Sequence, residues 1–198
     1  MIGGRRALLL AMPGLLAGCH PVTVTTEGRT KSLVDAARAQ IHKTVRYDSA
    51  YTKIGYPMGD VPLERGVCTD VVIRAYRKLG IDLQQLVHED MAVNFDLYPK
   101  RWELKAPDRN IDHRRVPNLT VFFSRFATSL PVTTNEADYR PGDIITNLPF
   151  GRTHIAIVGD RKSWLSGRLM VIQNGGLGAR EDDELFAYPL TGHYRYSL

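Results

Sequence analysis

Gly66-Val67-Cys68-Thr69-Asp70-Val71-Val72-Ile73-Arg74-Ala75-Tyr76-Arg77-Lys78-Leu79-Gly80 sets apolar side chains at 68, 71, 72, 75, 76 and 79. That is the i, i+3, i+4, i+7, i+8, i+11 spacing of one helix face. Gly80 stands where a C-terminal cap belongs. Asp70 falls in the first turn, where a negative side chain suits the dipole. The spacing predicts a helix over Cys68–Leu79, entered from a loop at Tyr56–Gly66 that Pro57, Gly59, Pro62 and Gly66 punctuate. Orphan N–H groups and the positive dipole end favour a thiolate at Cys68, and Asp70 works against it. The same periodicity puts Cys68 on the apolar face. It therefore reads equally as the first core position of an amphipathic helix or as a nucleophile in need of a base.

His154 is the best partner for it. Thr153-His154-Ile155-Ala156-Ile157-Val158 is otherwise an apolar strand, and a histidine there needs hydrogen-bond partners for both ring nitrogens. Leu169–Gln173 is a second strand. If the two form a simple hairpin across Asp160–Gly167, pairing Val158 with Leu169 sets Ala156 opposite Val171 and His154 opposite Gln173, all on one face. A slip of one residue sets Asn174 opposite His154 instead. Either amide could orient the imidazole, in the arrangement of nucleophile, base and orienter.

Working outward, Lys31–Val45 reads as a helix, with Leu33, Val34, Ala37 and Ile41 on one face. Gln84–Pro117 is polar and weakly periodic, with room for a short helix over Leu83–Phe95. Val121–Phe126 reads as another. Pro141-Gly142-Asp143 is a turn into a strand at Ile144–Thr146. Gly175, Gly176 and Gly178 make a turn that is no phosphate loop, since neither a helix pattern nor Lys-Ser/Thr follows. His193–Tyr196 reads as a terminal strand fixing the sheet edge.

The 198 residues are 43% hydrophobic and 24% charged, an ordinary globular composition that excludes fibrous, low-complexity and mostly disordered chains. The formal charge of +5 comes from scattered basic residues, which gives no argument for nucleic acid. Two cysteines make no disulfide framework. No His-Glu-x-x-His or cysteine cluster points to zinc, so no metal or cofactor is expected.

Residues 1–18 read as a secretory leader: Arg5 and Arg6, a short apolar run over Ala7–Leu16, then small residues. Leu16-Ala17-Gly18-Cys19 resembles the bacterial lipobox, which implies lipidation of Cys19 and a membrane anchor without a spanning helix. Residues 19–29 read as a lipidated N-terminus and tether, and 30–198 as a single domain. With Cys19 acylated, Cys68 is the one remaining thiol.

The nucleophile segment, Tyr139-Arg140-Pro141-Gly142-Asp143-Ile144-Ile145, His154-Ile155-Ala156-Ile157-Val158-Gly159 and the strand ending at Gln173 together resemble NlpC-type papain-like cysteine peptidases, in that order and at similar intervals. Val87–Met91, Asn110–Leu119 and Gly192–Tyr196 bring the likeness closer, to a YijF-like bacterial family of unknown function within that clan. It covers roughly residues 40–198. Thr69-Asp70 stands where the clan usually has Ser-Gly.

The resemblance implies an α+β papain-like fold, the nucleophile helix packed on an antiparallel β-sheet. It further implies acyl transfer by Cys68, His154 and Gln173 on an envelope amide, with peptidoglycan stem peptides as the expected substrate. Tyr56 reads as a pocket wall or second oxyanion donor, and as ordinary packing. Asp70 and Asn174 are expected to help bind the substrate beside Cys68 and His154. Asp112-His113-Arg114-Arg115 reads as a carboxylate-binding segment or as a solvated loop with local ion pairs. A non-catalytic papain-like binding module and a thiol acyltransferase are the competing functions.

Overall fold

A computed structural model describes residues 26–196. The leader, Cys19 and most of the expected tether lie outside the described residues. Four helices are formed: α1 (Thr26–Arg38), α2 (Cys68–Arg77), α3 (Leu83–Val93) and α4 (Val116–Phe126). A two-stranded parallel ribbon joins β1 (Arg46–Tyr47) to β2 (Arg65–Gly66). The main sheet contains β3 (Thr128–Ser129), β4 (Ile144–Asn147), β5 (His154–Lys162), β6 (Leu169–Asn174), β7 (Ala179–Asp182) and β8 (Leu190–Arg195). Their order is β3-β8-β4-β5-β6-β7, with every neighbouring pair antiparallel. The α+β class holds: helices cover an antiparallel sheet.

Strand alternation divides the core. On one face Ile144, Ile155, Ile157 and Ile172 meet Leu33, Val71, Val72, Ala75, Tyr76, Leu119 and Phe123 of the helices. On the other, Ile145, Ala156, Val158 and Val171 pack with Tyr139 and Leu185. Cys68, Val71, Val72, Ala75 and Tyr76 share the predicted inner face of α2 and are buried there, Cys68 at 3% exposure, whereas α2 ends at Arg77 and Leu79 beyond it is only partly buried against the same core.

Several expectations are corrected. The first helix is Thr26–Arg38 rather than Lys31–Val45, and it begins inside the segment read as a tether. Arg38 closes it by pairing with Glu181 at 2.7 Å and with Asp160, and Lys43 and Thr44 turn back onto Gln40. The terminal strand is internal, flanked by β3 and β4, because the two-residue β3 takes the edge. β5 runs on to Lys162, and a register break between Val158 and Lys162 absorbs the extra residues. The hairpin consequently pairs Val158 with Val171 and Ile157 with Ile172, two residues away from the predicted register. A shift of two preserves which face each side chain occupies, whereas the considered slip of one would have reversed it.

Candidate active site

Cys68 is the first residue of α2. Val67 precedes it in extended conformation as the N-cap, and Asp70 reaches back to accept the Val67 N–H at 2.7 Å, one half of a capping box. A Cβ on Gly66 would lie 3.0 Å from that same Asp70 carboxylate, so glycine lets the loop close onto the helix. Asp70 also takes a two-point ion pair from Arg114, Nε to Oδ1 at 2.9 Å and Nη2 to Oδ2 at 3.0 Å. Thr69 donates to the Arg114 carbonyl at 3.0 Å. The Thr69-Asp70 pair thus fastens the segment after α3 against the Cys68 turn.

Backbone N–H groups of Ile155, Thr69 and Cys68 itself favour the charged form of the Cys68 thiol, and Tyr47 is its electrostatic neighbour. Burial nevertheless pushes the thiol up to about 11, helped by Asp70 and opposed by those N–H groups. Desolvation thus outweighs the helix end and favours the neutral thiol over the thiolate. Tyr47 is pushed up to about 12, chiefly by burial and then by its neighbour Cys68.

His154 opens β5 on the opposite face of the sheet from Ile155. Its Nε2 is 2.7 Å from Gln173 Oε1, although the two residues are diagonal rather than paired. Diagonal neighbours on one face are within reach of long side chains. Burial lowers the His154 pKa, against the opposing effects of Gln173 and Glu184. Among the described residues, no hydrogen bond joins Cys68 to His154. They open instead into adjoining hollows. A cavity of about 170 Å³ is lined by Cys68, Val67, Trp102, Arg114 and Arg115. A wider cleft of about 610 Å³ is lined by His154, Gln173, Arg152, Arg180 and Glu184. Tyr47 and Thr153 line both.

The other expected residues divide. Asn174 is buried on the helix face, where its Nδ2 donates to the Gly66 carbonyl at 3.0 Å and ties β6 to the loop before Cys68. Gln173 rather than Asn174 therefore meets His154. Arg115 reaches the Cys68 cavity, stacked over Trp102 at 3.9 Å and paired with Asp112 at 3.3 Å. Asp112 and His113 are buried and line neither hollow. Burial drives Asp112 up to about 6 and His113 down to about 3. Tyr56 lies away from both hollows, edge-on to His88 at 5.2 Å.

Tyr47, Arg152 and Glu184 escaped the sequence reading. Tyr47 arrives through the parallel ribbon. Gly178, at φ +88, packs where a Cβ would lie 2.5 Å from the Thr44 carbonyl, and the Ala179 N–H bonds that carbonyl at 2.7 Å. The only local hint was the glycine cluster at 175–178. Among the described residues, no group of three or more His, Cys, Asp and Glu side chains is placed to hold a metal ion, and no helix is long and apolar enough to cross a membrane.

Among solved structures the chain is similar to NlpC2 and NlpC1 from Trichomonas vaginalis. Each is 17% identical over 85% of this chain, with TM-scores of 0.46 and 0.43, and this chain spans 47% and 45% of theirs. The Escherichia coli (strain K12) protein described as "Uncharacterized protein YijF" is 52% identical over 178 residues, 89% of this chain and 86% of its own length. The family described as a domain of unknown function, DUF1287, matches residues 34–196, a span that contains the Cys68 turn, the His154 strand and Gln173. The chain belongs to the DUF1287 family.

Proposed function

We propose that the protein is a papain-like cysteine amidohydrolase of the bacterial cell envelope that cleaves an amide bond through a Cys68 thioester. The observation that carries this reading is that a buried helix-start thiol and a His154–Gln173 pair line adjoining hollows that share Tyr47 and Thr153. In the reaction His154 Nδ1 takes the thiol proton and the sulfur attacks the carbonyl carbon. The Cys68 backbone N–H and the Tyr47 hydroxyl would donate to the developing oxyanion. The imidazolium then protonates the leaving amine. Water, deprotonated by His154, cleaves the thioester and releases the acid. The thiol and imidazole must draw together for the first step, and catalytic hydrogen bonds commonly tighten only with substrate bound.

Peptidoglycan stem peptides are the proposed substrate. Arg152 and Arg180 at the cleft can receive their carboxylates. Lipidation at Cys19, after removal of residues 1–18, is the proposed anchor, with residues 30–198 as the single catalytic domain.

Incubation with synthetic stem peptides, read by mass spectrometry, tests the proposal. Release of an amine and an acid by the native protein, absent in Cys68→Ala, is expected. Labelled water incorporated into the acid separates hydrolysis from acyl transfer. The raised thiol and the missing Cys68–His154 bond favour one second reading, a binding module on the same scaffold. Stem-peptide binding that survives Cys68→Ala, with no product from the native protein, would replace the first reading by the second.

A further inference from the structure

The cleft holds carboxylates that the reaction does not consume. Gln173 Nε2 donates to Glu184 Oε2 at 2.7 Å and, more weakly, to Asp182 Oδ2 at 3.4 Å. Asp182 comes from β7, opposite Val171, and so shares a sheet face with Gln173. Glu184 comes from the turn after β7, which Leu185 pins at 1% exposure into the second core cluster. Both acids are part-buried and rim the same cleft as His154.

An amide side chain has one accepting end and one donating end, and an ionised carboxylate can only accept. With carboxylates on one side, Gln173 must turn its NH₂ toward them. Its Oε1 then faces His154, and the 2.7 Å contact with Nε2 requires a proton on Nε2. In the neutral ring that leaves Nδ1 as the lone-pair nitrogen. A glutamine with no such neighbours could flip, offer NH₂ to Nε2 and move the proton to Nδ1, where it would block the thiol.

We propose that Glu184, seconded by Asp182, is a positioning residue: it locks the Gln173 amide, and through it holds His154 in the tautomer whose Nδ1 can act as base. The role rests on the cysteine-hydrolase reading for its purpose, and on the hydrogen-bond chain alone for its geometry.

The test is nitrogen NMR of the full-length protein labelled at histidine, with the His154 signals assigned by their loss in His154→Ala. In the native protein, above neutral pH, His154 carries its proton on Nε2 alone. Glu184→Gln replaces the acceptor by an amide of the same shape that can present either end. Glu184→Gln with Asp182→Asn removes both constraints. The single variant brings in the Nδ1–H tautomer, and the double variant brings in more of it. In each, turnover falls on the order of 10-fold through kcat with KM little changed, as loss of an outer-shell partner commonly does. A native His154 protonated at Nδ1 overturns the proposal. So does an unchanged Nε2 tautomer in the folded variants, since a carboxylate that merely stabilises the turn would shift melting and leave the tautomer alone. The single variant is isosteric at a part-buried rim, and the native spectrum is decisive by itself. Absent turnover in the native protein would remove the hydrolase reading and leave the tautomer result standing.

Discussion

Two buried histidines share one face of the main sheet and differ in what their ring nitrogens meet. His193, on β8, is fully enclosed, with Nε2 at 2.8 Å from Asp143 and Nδ1 at 3.3 Å from the Pro131 carbonyl. Tyr139 stacks on its ring at 4.2 Å. Asp143 also takes two hydrogen bonds from Arg195, each 2.7 Å. Burial alone would raise Asp143, yet its partners hold it below the usual carboxylate range. His154, at 7% exposure, commits Nε2 to Gln173 and faces an open cleft. A histidine with both nitrogens committed to fixed acceptors is a strut. One with a single committed nitrogen beside a cavity is equipped to move a proton.

The contrast breaks most visibly under alanine substitution. His154→Ala should cut stem-peptide turnover about 10²- to 10⁴-fold, the usual worth of a general acid–base, and cost only about 1 kcal/mol of urea stability as the Gln173 carbonyl loses its partner. His193→Ala should leave turnover within a few-fold and cost roughly 3 kcal/mol in the same denaturation, because it uncovers buried Asp143. Equal losses of turnover in both would erase the distinction.

Asp70→Asn sharpens it from the thiol side. Asp70 and Arg114 are both almost fully buried, and removing one charge strands the other, at roughly 3 kcal/mol of stability by the same reasoning. The smaller repulsion on Cys68 should let iodoacetamide alkylation begin at lower pH. An unchanged urea midpoint would mean that Arg114 finds other partners.

The thiol itself gives a pH signature. Its folded value of about 11, against an ordinary 9.0, means that the native state keeps a proton which the unfolded chain releases. Stability from this group is complete below pH 9 and is lost as pH rises toward 11. Across that window the native protein should lose roughly 2–3 kcal/mol more than Cys68→Ala in urea titrations. Parallel losses would show a thiol that titrates freely.

The smallest expected effect concerns Trp102, stacked under Arg115 at the rim of the Cys68 cavity. Trp102→Ala should cost about 0.5–1 kcal/mol and speed alkylation of Cys68 by opening the cavity. An unaltered alkylation rate would show that Tyr47 alone controls access.

The chain itself determined the local features. Apolar spacing at 3.6 residues placed α2 and its start at Cys68, alternation placed His154 and Gln173 on one face, and Pro141-Gly142 placed the turn before β4. These signals are legible because they depend on neighbours a few positions apart. Register was not legible, since alternation is unchanged by a shift of two and a bulge past Val158 leaves no periodic mark. Nor was Tyr47, which a two-residue parallel ribbon carries to the thiol from an unpatterned loop. The protonation of Cys68 and the burial of Asp112 and His113 were decided only by the tertiary structure. Desolvation depends on every segment packed around a group, and no window of sequence contains that sum.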